Sequence, residues 1–354
     1  MPPRNILVIR FSAMGDVMLL APVLQSLVHT YPDLNVTVVT RPRFKPFFID
    51  IPRLTVFEAD VDLTYRGISG MFSLCKALLR HSNFDHVFDL HDHLRTMILR
   101  TLFRIYGKKV IVFKKGRKEK RAFVRPHNKV TRMLPHTIVR YQGAFLRAGF
   151  DFEILPGPFL RANNESNTFI RNWLDFKGLL PKTKKWIGIA PFATHLSKIW
   201  PRDYVRQLLG LVFEKGPVHF FLFGGGKDEV AFFESLREQY RDQCTLVAGQ
   251  MKIEHEVALL AHLDLMVCVD SSNMHLAALS GTPLLALWGG THPDVGFGPY
   301  RYDPSVILQI SREELPCRPC SVYGVETCLR KDFACLFRLT PNLVSTEISR
   351  KLGF

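Results

Sequence analysis

No run in this 354-residue sequence approaches the length of about 20 apolar residues that a membrane-spanning helix needs; segments such as PLLALW and DLMVCV are far shorter. The N-terminus, MPPRNILVIRFSAMGD, has no basic leader followed by a sustained apolar region and a cleavage site. No secretion signal is therefore expected, and a cytosolic location follows as the default. The glycine fingerprint G-x-G-x-x-G is also missing from the first strand-to-helix loop, where a dinucleotide site would carry it. That loop holds one glycine, Gly15, and a carboxylate, Asp16. Negative charge is scarce: 32 acidic residues stand against 47 basic ones, a net charge of +15. Such an excess attracts polyanions.

An apolar share of 47% with 22% charged residues is that of a globular protein, and the length allows two domains, each with a full core. Apolar runs fit strands at 6–9, 36–39, 86–89 and 110–113 in the first half. In the second half they fit strands at 186–189, 219–223, 245–247, 265–269 and 284–287. Helical periodicity falls between them, at 17–30, 71–81, 202–214, 229–240, 253–261 and 273–279. Apolar strands alternating with amphipathic helices predict an α/β fold with two Rossmann-like, doubly wound parallel sheets facing a cleft. The interrupted stretch 155–185, with Pro156, Gly157, Pro158 and RANNESN, reads as the linker, giving domains of 1–165 and 175–340. A last helix is expected after Thr340, its N-cap, with Pro341 in the first position.

Ligands of such sheets bind beyond the carboxyl ends of the strands, which singles out four loops. The first carries Asp16. The second, APFATHLSKIWP, offers Thr194 and Lys198, a hydroxyl and a cation suited to a phosphate. The third, GGGKDE, permits close backbone approach, and its carboxylates suit ribose hydroxyls. The fourth, DSSNMH, opens a helix at Asp270, Ser271, Ser272 and Asn273, with His275 one turn on. Free N–H groups at a helix start attract anions, although the same residues also make an ordinary cap. Together the second half reads as a nucleotide-diphosphate site, and the first supplies the carboxylate. Asp16 then suits a general base, or it merely caps the helix that follows.

With these loops in place, the chain resembles the heptosyltransferases of glycosyltransferase family 9, through ILVIRFSAMGDVMLLAPVLQSL, FDHVFDLHDHLRT, HTIVRYQGAFLRAGF, IGIAPFATHLSKIWPRDYVRQLL, FLFGGGKDE and VDSSNMHLAALSGTPLLALWGGTHP. The resemblance implies a GT-B fold whose C-terminal helix, 341–354, crosses back to the first domain. It further implies an inverting transfer from a nucleotide-sugar donor that needs no metal or other cofactor. By position, Asp16 matches the base and Thr194 with Lys198 the donor-phosphate contacts. Asp270, Ser271, Ser272, Asn273 and His275 match the diphosphate-binding helix start. Ser272 departs from the glycine common there. Glu229 is the ribose carboxylate expected within GGGKDE, and Arg10, Ser12 and Gly15 fall on the acceptor side. The implied partners are an ADP-type sugar donor, an anionic lipopolysaccharide-core acceptor, and the inner face of an anionic inner membrane.

The basic stretch 108–140 fits that acceptor or membrane, or a merely solvated loop. Its thin aromatic content argues against nucleic acid as a partner. Cys317, Cys320, Cys328 and Cys335 admit a structural metal, reduced thiols packing a loop, or a disulfide. His91 and His93 read as polar caps near the acceptor pocket rather than metal ligands. Two other functions stay open: a nucleotide-sugar epimerase on the same fold, and a non-enzymatic binder of anionic lipid or nucleic acid.

Overall fold

The computed structural model describes residues 4–354. They form two compact units, each described by itself. The first takes the chain up to Gly116 together with Thr137–Phe159; the second takes Arg117–His136 together with Leu160–Phe354.

In the first unit, β1 (Asn5–Ile9) leads through α1 (Met14–Met18) and α2 (Ala21–Thr30) to β2 (Asn35–Thr40) and β3 (Leu54–Glu58). Then come α3 (Gly67–His81), β4 (His86–Asp89), α4 (Leu94–Ile105) and β5 (Lys109–Val112). The chain now leaves for the second unit, where it forms α5 (Arg117–Phe123), and returns with α6 (Thr137–Leu146). All five strands are parallel, in the order β3-β2-β1-β4-β5. Four consecutive residues of β1 are fully buried, as a central strand covered on both faces requires.

The second unit contains α7 (Asn164–Phe176), β6 (Lys185–Ala190), α8 (Arg202–Phe213), β7 (Val218–Leu222), α9 (Lys227–Tyr240) and β8 (Cys244–Leu246). It continues with α10 (Ile253–Leu260), β9 (Leu265–Val269), α11 (Ser272–Ser280), β10 (Leu284–Trp288) and β11 (Ile307–Gln309), and ends in α12 (Ala334–Phe337) and α13 (Pro341–Leu352). Its parallel sheet runs β11-β10-β9-β6-β7-β8, the strand order of dinucleotide-binding sheets. Both sheets reverse direction beside their first strand, between β1 and β4 and between β6 and β9. Those two crevices are where such sheets hold ligands.

Three expectations change. RANNESN is not simply linker: Asn163 caps α7 by accepting from the Ser166 N–H at 2.8 Å. The basic stretch is divided, with 117–136 counted in the second unit. Helix α13, expected to return to the first half, buries Val344 and Ile348 in the second unit's core against α8. The i, i+4 spacing of these two residues gives α13 one apolar face, and that core takes it up. Among the described residues, no helix is long and apolar enough to cross a membrane.

Candidate active site

In the first unit the backbone leaves β1 at Arg10, which the Val39 carbonyl holds by its N–H at 3.2 Å. The Arg10 side chain crosses the crevice. Nη1 donates to the Leu90 carbonyl beyond β4 at 2.6 Å, and Nη2 meets Asp16 Oδ2 at 2.5 Å. Arg10 is 6% exposed and Asp16 25%, so the cation is sealed in while the carboxylate keeps an open side. Burial opposes the guanidinium charge, yet Asp16, Tyr141 and Asp89 together raise its pKa above the ordinary arginine value. Tyr141 on α6 donates to the Asp16 carbonyl at 3.2 Å, so backbone and side chain of Asp16 are both fixed. Asp16 lies in the first turn of α1, whose N-cap, Ala13, offers no side-chain bond.

Ser12 Oγ stands 3.3 Å from His91 Nε2 beyond β4, joining the two strand ends a second time. Burial, aided by Arg10 and Lys115, pushes the His91 pKa down to about 2, which makes it a neutral imidazole. The polar run after β4 caps local backbone. Asp89 accepts from the His91 and Asp92 N–H groups and pairs with Arg100, while at the start of α4 Thr96 Oγ1 accepts from the N–H of the N-cap, His93, at 3.0 Å. Gly15 lies within α1, and its carbonyl accepts from the Leu19 N–H at 3.1 Å.

The second unit places a similar ion pair across its own crevice. Lys198, in the turn after β6, reaches Asp270, just beyond β9, at 3.1 Å; they are 14% and 10% exposed. The same Asp270 oxygen accepts from Thr291 Oγ1 at 2.7 Å. Ser271 caps α11 without a side-chain hydrogen bond, and its buried Oγ has no partner among the described residues. A helix start with an unused hydroxyl and free N–H groups is suited to an anion. Ser272 and Asn273 form the first turn of α11, His275 is buried in the next, and Thr194 is exposed in the Lys198 loop. Glu229 turns back on its own loop. It occupies N3 of α9 and accepts from the Gly225 and Gly226 N–H groups at 2.9 and 3.4 Å, as in a capping box.

Two residues that sequence reading did not reach organise this half. Thr291 follows β10 and orients Asp270; its place at a strand end was the available signal. Arg318, inside the Cys317–Cys320 spacing, gave none. Its guanidinium is buried and donates to the carbonyls of Gly289, Ile310, Trp288 and Thr291 and to Gln309 Oε1. Burial without a carboxylate partner lowers its pKa to about 10. Gly289 and Gly290 press on the Lys198 turn: a Cβ on Gly289 would stand 2.5 Å from the Ser197 carbonyl oxygen. The Gly290 N–H donates to that same oxygen at 2.8 Å.

The basic stretch is partly internal. Lys120 is buried with its ammonium 3.9 Å from the Phe297 ring centroid, and Lys129 donates to the carbonyls of residues 316–318 at 2.6–3.0 Å. Of the cysteines, Cys335 lies in the second unit's apolar core, where burial pushes its thiol up to about 12, and all seven are free. Among the described residues, no group of three or more His, Cys, Asp or Glu is placed to hold a metal ion.

Residues 71–324 match the model of glycosyltransferase family 9 (heptosyltransferase). The chain is 25% identical over 329 residues to lipooligosaccharide heptosyltransferase 2 of Haemophilus influenzae, covering 88% of this chain and 90% of that one. It is 24% identical to lipopolysaccharide heptosyltransferase 3 of Escherichia coli, over 78% and 81% of the two chains. The solved family 9 glycosyl transferase of Veillonella parvula superposes with a TM-score of 0.74 at 18% identity, covering 99% and 97%. The ADP-heptose lps heptosyltransferase II of E. coli does so at 0.68 and 21%, covering 98% of each. These likenesses establish the fold as GT-B, with two Rossmann-like α/β domains. The match over most of its length makes the chain a glycosyltransferase, a member of glycosyltransferase family 9, the heptosyltransferases.

Proposed function

We propose that the protein transfers a heptose, or a related sugar, from an ADP-linked donor to a lipopolysaccharide inner-core acceptor, with inversion and with Asp16 as general base. Sugar and acceptor are those in the relatives' names, and ADP accompanies the solved E. coli WaaC. The observation that carries the reading is Asp16 itself. Its carboxylate stands at the carboxyl end of β1, held by Arg10 and open on one side.

In the transfer, an Asp16 oxygen takes the proton of an acceptor hydroxyl as that oxygen bonds to the anomeric carbon. The bond from that carbon to the diphosphate breaks, and its electron pair leaves on ADP. Attack opposite the leaving group inverts the centre. Lys198 and the N–H groups at the start of α11 receive the diphosphate charge, with Thr194, Ser271, Ser272 and Asn273 as hydrogen-bonding groups and Asp270 holding Lys198 in place. His275 supports that helix from its buried side, and Glu229 serves the ribose through its loop. Arg10, Ser12 and Gly15 shape the acceptor side. A lipid-anchored acceptor places the protein at the cytoplasmic face of the inner membrane as a peripheral enzyme, which the +15 net charge supports.

The test is ADP release from ADP-heptose with and without a de-acylated inner-core acceptor, repeated with Asp16→Ala. Acceptor-dependent release that the variant loses is the expected result. Release independent of acceptor would overturn the transfer reading, and full turnover by the variant would remove Asp16 as the base.

A further inference from the structure

We infer that the outward face of α4 is a docking surface for an anionic lipid bilayer. The inference rests on the proposed lipid-anchored acceptor for its purpose, but not for its geometry. Helix α4 reads LRTMILRTLFRI and is apolar on two opposite sides. Thr96, Leu99, Leu102 and Phe103 are buried. At 100° per residue, Leu94, Met97, Thr101 and Ile105 lie on the reverse face. There Leu94 is 72% exposed, Met97 44% and Ile105 74%, and the exposed Tyr106 follows. Isolated apolar side chains on a surface are ordinary; a row along the outer face of one helix marks an interaction site. The neighbouring α3, which packs on α4, adds exposed Ile68 and Phe72, one turn apart.

Charge selects the occupant. Neither α3 nor α4 contains a single Asp or Glu, and together they carry Lys76, Arg80, Arg95, Arg100 and Arg104. Arg100 is committed to Asp89 and Asp92, and Arg95 to Asp62. Lys76, Arg80 and Arg104 remain on the exposed surface, joined by Lys109 just beyond α4. An apolar row flanked by cations is the pattern of a helix lying in the headgroup region of an anionic membrane. Position supports the same occupant. The α4 N-cap, His93, stacks on His91 with ring centroids 5.4 Å apart, and His91 reaches Ser12 in the Asp16 loop. A bilayer against α4 therefore brings lipid-anchored acceptors to the crevice that holds Asp16.

The experiment is co-sedimentation of the full chain with vesicles of phosphatidylcholine alone and of phosphatidylcholine mixed with phosphatidylglycerol. The wild type should sediment with the mixed vesicles and much less with the neutral ones. Leu94→Gln/Ile105→Gln, both on the open surface, should weaken that binding roughly tenfold or more. Arg104→Glu should weaken it only on anionic vesicles. Sedimentation of the double variant equal to wild type overturns the inference, as does a wild type bound to neither vesicle. So does a wild-type dimer in light scattering that the double variant converts to monomer, which would assign the face to a second copy. Turnover on the de-acylated acceptor, measured in parallel, should be unchanged in the double variant; a failure of the transferase reading shows there and leaves the sedimentation result standing.

Discussion

Arg10 and Asp16 meet at 2.5 Å, and the other guanidinium nitrogen of Arg10 is tied to the Leu90 carbonyl across the crevice. The carboxylate is thus aimed by a side chain that is itself locked in two directions. If Asp16 is the base, as proposed, a carboxylate held this way needs no reorganisation before it accepts a proton.

Asp16→Ala should lower kcat by roughly 10²–10⁴ while leaving ADP binding intact. Rapid-quench turnover and calorimetric ADP titration on the same preparation check both halves of the statement.

Arg10→Met should also reduce turnover, because it frees Asp16 to rotate. Since the two residues act as one unit, the double variant Asp16→Ala/Arg10→Met should be no slower than Asp16→Ala alone. Additive losses in this cycle would separate their roles.

Lys198→Ala should raise the Kd for ADP about tenfold or more and lower Tm, since it strips the buried Asp270 of its cation. Thr291→Val removes only the hydroxyl bond to Asp270 and should cost about 1 kcal/mol of stability with a smaller loss in ADP affinity. Thermal unfolding with and without ADP distinguishes the two.

Arg318→Met should destabilise the protein by about 3 kcal/mol or more, because several buried carbonyls lose their donor together. Arg318→Lys should fold, bind ADP more weakly and keep most of its kcat, as expected where a residue shapes the donor loops without touching the reaction. Denaturant melts and a KM-against-kcat comparison test this.

Stability should fall on acidification below about pH 6.5. Burial holds His91 at about 2 and both His136 and His219 at about 4, whereas in the unfolded chain histidine titrates near 6.5. Between those values the unfolded state binds protons that the folded state refuses. Each such histidine therefore withdraws up to about 1.4 kcal/mol of stability per pH unit, and none of this loss is present above the unfolded value. Denaturant midpoints at pH 7.5, 6.5 and 5.5 should decline, and His219→Gln should flatten the slope.

The sequence displayed the buried strands well, because a strand covered on both faces is a short apolar run. It did not display β3, whose residues LTVFE are half-exposed, or the three-residue β11. Both are edge strands, where burial imposes little pattern. Helix α4 also went unread, although its buried Thr96, Leu99, Leu102 and Phe103 follow a helical period. Asp16, Lys198 and Asp270 were legible because charged residues at strand ends stand out against apolar surroundings. Arg318 was not, since all but one of its acceptors are main-chain carbonyls, which leave no trace in residue identity.

The excursion of residues 117–136 into the second unit changes what counts as an exchangeable part. The chain passes between units at Gly116, at His136 and again at Phe159, so neither half is one continuous stretch. A chimera that replaced only 160–354 with a relative's sequence would leave the parent's Phe123 and Leu134 to pack against a foreign Val295 position, and its Lys129 to find foreign carbonyls. Recombination that keeps these contacts has to move two segments together, 117–136 with 160–354, because the insert packs on the second unit rather than on the sequence that flanks it.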